Sequence, residues 1–174
     1  MGWVNKDQIV YNEVASIKDL LLFHDEDYLK ALQFAEKHQD LPLDLRLKYK
    51  IGMGNNPIFN EIFSRPASAA NASMNAVKYL FDDKSDKILN FSGGTHHGRR
   101  SFASGFCFLN DCILSIIKAI NLGFKKILYI DIDAHHCDAV QDYFIDDDNV
   151  FVISVHEKNR WPKTGFISDC SHKN

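Results

Sequence analysis

At 174 residues, with 45% hydrophobic and 25% charged side chains, the chain has the composition of one ordinary globular domain or part of a larger one. A net charge of −3, with the basic residues scattered, leaves no footprint for direct nucleic-acid binding, and no apolar run is long enough to span a membrane. The N-terminus is no signal peptide, Lys6 breaks the myristoylation pattern that follows Gly2, and the four cysteines form no C-x-x-C pair, so the sequence points to reduced thiols in a cytoplasmic protein.

In chain order, Ser16 predicts a helix cap. The apolar stripe after it runs through Leu20, Leu21, Phe23, Tyr28, Leu29, Leu32 and Phe34, with a break near His24-Asp25. Residues 41–66, punctuated by Pro42, Gly52, Gly54, Pro57 and Pro66, read as irregular. Ser68 to Phe81 reads as a helix of small residues. Ile88-Leu89-Asn90-Phe91 reads as a short strand running into Gly93-Gly94-Thr95-His96-His97-Gly98. A Gly-aromatic turn, Ser104 to Asp111, opens a helix from Asn110 to Leu122 that Gly123 closes. Residues 126–132 read as a buried parallel strand, 138–144 as a short helix and 149–155 as a second buried strand. Strands alternating with helices predict an α/β fold with a parallel sheet. There is no repeat, low-complexity tract or internal linker.

Most of the chemistry lies in Asp131-Ile132-Asp133-Ala134-His135-His136-Cys137-Asp138. Strand alternation sends Tyr129, Asp131, Asp133 and His135 to one side and Ile130, Ile132 and Ala134 to the other. Two carboxylates and an imidazole then leave the carboxyl end of a strand together, where open α/β sheets bind ligands. Burying them is costly unless a charge compensates; Asp oxygen and His nitrogen both suit zinc. A lone Asp-x-Asp would be a cap or an ion pair, but a second loop alters the balance. Its paired glycines allow close backbone approach, and His96 and His97 offer bases near neutral pH. Two such loops over one pocket predict metal-assisted hydrolysis with acid/base help. Elsewhere, Cys107 reads as a small buried hydrophobe and Cys137 as an adventitious ligand beside the metal loop. His24, His38 and His172 read as surface residues, Arg99 and Arg100 as solvated, and His156 is left open.

The runs GGTHHGRRSFASGFCFLND and ILYIDIDAHHCDAVQDYF resemble the zinc-dependent histone deacetylase family, which includes acetylpolyamine amidohydrolases and acetoin-utilisation-type proteins. The resemblance begins near Leu21-Leu22-Phe23-His24-Asp25-Glu26-Asp27-Tyr28, passes through Asn56-Pro57-Ile58-Phe59 and continues past Ser154-Val155-His156-Glu157. It implies an α/β, three-layer arginase/deacetylase-like fold, a parallel sheet flanked by helices. Residues 1–174 would be a partial domain, lacking the family's first strand and C-terminal half. By resemblance, Asp133 and His135 are two of its zinc ligands, His96 and His97 its tandem catalytic histidines, and Asp131 and Asp138 their respective carboxylate partners. Gly105 and Phe106 resemble the floor and wall of an acyl-lysine tunnel. Asp131, Asp133, His135, Ser154 and Val155 resemble a buried monovalent-cation site, for K+. The implied reaction is hydrolysis of an acetylated lysine peptide or acetylated small amine. In it zinc polarises the acetyl carbonyl and binds a water, and the histidines share acid and base roles.

The chain departs from the family pattern at three places. Cys137-Asp138-Ala139 stands for Gly-Asp-Gly, Asn55 for a rim aspartate, and Pro162-Lys163-Thr164-Gly165 for Pro-Gly-Thr-Gly. The family's third zinc carboxylate and its oxyanion-stabilising tyrosine have no match in these residues. The isolated chain is therefore expected to be inactive and to self-associate through exposed sheet edges. Two alternatives remain at this point: a non-catalytic remnant that binds a metal or a partner, and an arginase-like binuclear manganese hydrolase, whose next bridging Asp would fall at Cys137.

Overall fold

The computed structural model describes residues 4–169. Ser16 caps α1 (Ile17–Leu20), its hydroxyl accepting the Asp19 N–H at 3.1 Å. The expected break follows, and α2 (Glu26–His38) buries Tyr28, Leu29, Ala31, Leu32 and Ala35 at helical spacing. Residues 41–66 are not irregular throughout. They contain α3 (Leu43–Tyr49) and the first turn of α4 (Ser64–Phe81). Leu43 and Leu47 face solvent, so α3 lacks the apolar stripe that announces a helix. Helix α4 starts at Ser64 rather than Ser68 because Glu36, on α2, caps it. One Glu36 carboxylate oxygen accepts the N–H groups of Phe63 and Ser64, each at 2.8 Å, and the Ser64 hydroxyl at 3.1 Å.

Helices α4 and α5 (Asp111–Leu122) form the central pair. Ala67, Ala70 and Met74 on α4 let it approach Ile113, Leu114 and Ile116 on α5. The core continues through Leu20, Phe23 and Leu32 to Phe144, Val150 and Val152. The remaining elements are β1 (Ile127–Asp131), α6 (Asp138–Phe144) and β2 (Val150–Ser154), a strand–helix–strand unit whose strands pair in parallel, Ile127 opposite Val150 and Asp131 opposite Ser154. Among the described residues, no helix is long and apolar enough to cross a membrane.

Two strand expectations need correction. Neither β1 nor β2 is buried on both faces: Ile127, Tyr129, Val150 and Val152 meet the core, whereas Leu128, Ile130, Phe151 and Ile153 face outward, Ile130 being 57% exposed. Nothing among the described residues covers that outer face. Residues 88–91 form no strand. Phe91 is 91% exposed, and among the described residues the segment has no ladder partner. It is held instead by the Asn90 amide, which donates to Ala69 O at 3.0 Å and Ser73 Oγ at 2.8 Å. A strand is stable only with neighbours beside it, and sequence pattern alone does not report whether they exist.

Candidate active site

The start of α5 builds the histidine loop. Asn110 caps the helix, accepting the Ile113 N–H at 2.9 Å, while its amide donates to the carbonyls of His96 and Gly98 at 3.1 and 2.9 Å. The buried Asp111 carboxylate accepts the Gly94 and Thr95 N–H groups at 3.0 and 2.8 Å and the Thr95 and Ser73 hydroxyls at 2.6 Å each. Its position in the first helical turn favours negative charge. Sequence reasoning used Asn110 only as a helix start and gave Asp111 no role; the sole signal was an Asn-Asp pair ahead of an apolar helix.

This anchoring sets His96 and His97 side by side, ring centroids 4.1 Å apart and both buried. Each Nδ1 faces its own carboxylate, Asp131 at 2.6 Å for His96 and Asp138 at 2.7 Å for His97. Burial pulls the His96 pKa down, but the Asp131 hydrogen bond and the charges of Asp131, Asp133 and Asp138 outweigh it, leaving it above the ordinary histidine value. Burial pushes the Asp131 carboxyl up, yet hydrogen bonds from His96, the Tyr129 hydroxyl and the Asp133 N–H hold it at about 2. Asp138 is likewise lowered against burial, by His97 and by Arg99. Arg99 is therefore not a solvated flank: its guanidinium donates to Asp138 at 2.6 Å and to Asp142 at 2.5 Å. Arg100 does face solvent, paired with Asp25.

Asp133 and His135 lie beside the pair but outside the buried layer, their side chains 52% and 36% exposed, so the burial expected for all three polar groups of this strand end holds only for Asp131. An Asp133 oxygen stands 2.8 Å from His135 Nδ1 and 3.9 Å from His96 Nε2. The Asp133 carboxyl is lowered against its partial burial by hydrogen bonds from His135. An oxygen and an imidazole nitrogen converging in this way fit two positions of a zinc ion. Among the described residues, no group of three His, Cys, Asp or Glu side chains could hold a metal.

The turn before α5 carries Gly105 and Phe106, both with positive φ, 54° and 64°. Asn56 fixes it by accepting the Phe106 N–H at 3.0 Å, and the Phe106 ring stands 66% exposed, which core packing would not produce. Sequence reasoning missed Trp161 altogether. Its ring meets His97 edge-on at 4.7 Å and lies 6.1 Å from His135. A Cβ on Gly105 would come within 2.5 Å of the indole and 2.9 Å of the His97 ring, so only glycine leaves room there. An aromatic residue beside Pro162 was the one available signal.

Two other expectations come out differently, and His156, left open by the sequence, finds partners. His24 is buried rather than on the surface, bridging Arg100 O at 3.2 Å and the Asn110 N–H at 3.0 Å. Cys137 is fully buried, and burial pushes its thiol up to about 12. His156 binds Ser154 Oγ at 2.9 Å and Gly165 O at 3.1 Å. Cys107 is buried and His38 exposed, as expected; His172 lies outside the described residues. Asp131 and Ser154 are register partners, and Asp131 O accepts the N–H of the exposed Val155 at 2.9 Å.

Comparison with known proteins adds the lineage. The histone deacetylase domain matches residues 2–174, and the chain belongs to the histone deacetylase family. It is similar to histone deacetylase 8 of Xenopus tropicalis, 34% identical over 97% of this chain and 46% of that protein, and to putative histone deacetylase 2 of Caenorhabditis elegans, 36% identical over 87% of this chain and 30% of that protein. Among solved structures, an HDAC homolog complexed with SAHA superposes with a TM-score of 0.91 at 37% identity, over 97% of this chain and 46% of that one. An HDAC homolog from Aquifex aeolicus gives 0.90 at the same identity and coverage. The fold is thus the α/β arginase/deacetylase fold, incomplete in this chain, which spans about half the length of the curated relatives it first matches.

Proposed function

We propose that the chain carries the histidine half of a zinc-dependent deacetylase centre, acting on acetylated lysine or an acetylated small amine. The observation that carries the reading is the pair His96–Asp131 and His97–Asp138, two adjacent imidazoles with carboxylate partners at 2.6 and 2.7 Å, opening toward Asp133 and His135. Asp133 and His135 would hold zinc together with donors from outside the described residues. When bound, zinc supplies Lewis-acid polarisation of the acyl carbonyl. The residues of this chain move the protons. Asp131 and Asp138 orient the rings, and Asp131 favours the charged form of His96. His97 and His96 accept a proton from the attacking water and return one to the departing amine. The exposed Phe106 and the Trp161 ring that packs against Gly105 would supply apolar surface for the stem of an acyl-lysine. Asp131, Asp133, His135, Ser154 and Val155 are the residues for a monovalent cation, a reading supported by the Asp131–Ser154 pairing of β1 and β2.

The test is a domain completed with the remaining half of a relative. There His97→Ala lowers acetyl-lysine turnover by about 10²-fold or more, with little change in substrate binding. Wild-type turnover would remove His97 from the mechanism. A second reading, a remnant that binds a metal or a partner without catalysis, draws on the two-donor metal set and the bare outer face of β1 and β2, a patch of the kind that marks association surfaces. A binuclear manganese centre is disfavoured by the Cys137 thiol standing where its bridging carboxylate would fall and by the adjacent His96–His97 pair.

A further inference from the structure

Trp161 touches His97 from a segment, residues 155–166, that contains no helix or strand, so something other than backbone regularity must hold it in place. Backbone bonds from Val155 to Asp131 O and from Glu157 to Ala134 O anchor its start, and around Thr164 and Gly165 it meets a second pair of imidazoles. The buried His136 ring binds Thr164 Oγ1 and Gln141 Oε1, each at 2.8 Å. The Gln141 carbonyl can only accept, so His136 Nε2–H donates to it and Nδ1 accepts the Thr164 hydroxyl. On the other side His156 Nε2–H donates to Gly165 O, leaving Nδ1 to accept from Ser154. The two rings stand 4.8 Å apart, and Gly165 (φ 77°) passes against both: a Cβ there would lie 2.6 Å from each. Gln141 then donates to Asp169 O at 3.3 Å, tying the turn that follows the segment to α6.

We propose that His136, His156 and Thr164 form a clamp whose role is to position Trp161 against His97, making them positioning residues for the acyl-binding wall. The inference rests on the deacetylase reading only for what the wall receives. The clamp itself is a statement about where Trp161 sits. The chain has two tryptophans, so Trp3→Phe leaves Trp161 as the only indole, and its fluorescence reports its surroundings directly. Thr164 is exposed, and Thr164→Val keeps its shape while removing the hydroxyl that His136 accepts.

In the full chain carrying Trp3→Phe, Thr164→Val shifts Trp161 emission to the red. Its acrylamide quenching constant rises about twofold, as a side chain now 43% exposed becomes free. Far-ultraviolet circular dichroism and the urea midpoint stay put, and Thr164→Ser restores the original quenching. Unchanged quenching in Thr164→Val overturns the clamp. So does loss of the whole fold, since a contact that carried the core would not be a positioning device. Failure of Thr164→Ser to restore quenching also overturns it. Absence of turnover in a completed domain would sink the deacetylase reading and leave this result standing.

Discussion

His24 makes stability depend on acid in a way that can be worked through. Its Nε2 accepts the Asn110 N–H, so Nδ1 carries the proton and donates to Arg100 O; the folded ring is neutral. Burial is the dominant influence and lowers its pKa from 6.5 to about 4, although the carbonyls of Arg100 and Arg99 and the charge of Asp25 pull the other way. The unfolded chain therefore binds this proton more readily than the folded one. The contribution is fully present above pH 6.5 and is lost as pH falls toward 4. Between those pKa values the loss amounts to about 1 kcal/mol near pH 5.5 and about 3 kcal/mol near pH 4. The assay is urea unfolding near pH 7.5, 5.5 and 4 for the wild type and His24→Gln, whose difference cancels the titrations they share. The two stability curves should converge by about 3 kcal/mol on acidification, the wild type losing more. Parallel curves would refute the buried neutral histidine.

Other consequences are equally direct. Arg99→Met leaves the buried Asp138 with one partner fewer and should lower the unfolding free energy by about 1–3 kcal/mol, read by urea titration; an unchanged midpoint would show the contact to be idle. Residues 1–174 alone should hydrolyse acetyl-lysine peptides no faster than background, since no tyrosine here matches the family's oxyanion donor, whose loss alone costs about 10²–10³ in rate. The same chain should associate with itself in sedimentation through the bare face of Leu128, Ile130, Phe151 and Ile153. A well-behaved monomer with zinc-dependent turnover would contradict both statements.

Much of the local order could be read from the residues because it depends on nearby residues. Asn110, Gly123 and the apolar run between them define α5, and the β1–α6–β2 unit falls within a residue or two of its expected bounds. The convergence of the His-His and Asp-x-Asp-x-His loops was legible from the end of β1 and from motif resemblance, although among the described residues no strand leads into the His-His loop. What was not legible is long-range. Glu36 sets the start of α4 from another helix. His24 looks like a surface residue until Arg100 and Asn110, far along the chain, enclose it. Arg99 finds Asp138 across two loops. The outward faces of β1 and β2 were expected to be buried because their sequence is that of a strand covered on both sides; whether a cover is present lies outside the pattern. Trp161 went unnoticed because its segment has no periodicity to place it.

The most direct test is zinc titration of residues 1–174, followed by calorimetry, for the wild type and Asp133→Ala. If Asp133 and His135 supply two of the usual three protein ligands, as proposed, the wild type should take up one zinc per chain, more weakly than a full catalytic site, and Asp133→Ala should abolish it. Equal zinc uptake by both proteins would contradict the assignment of this loop as the metal-binding share of the site.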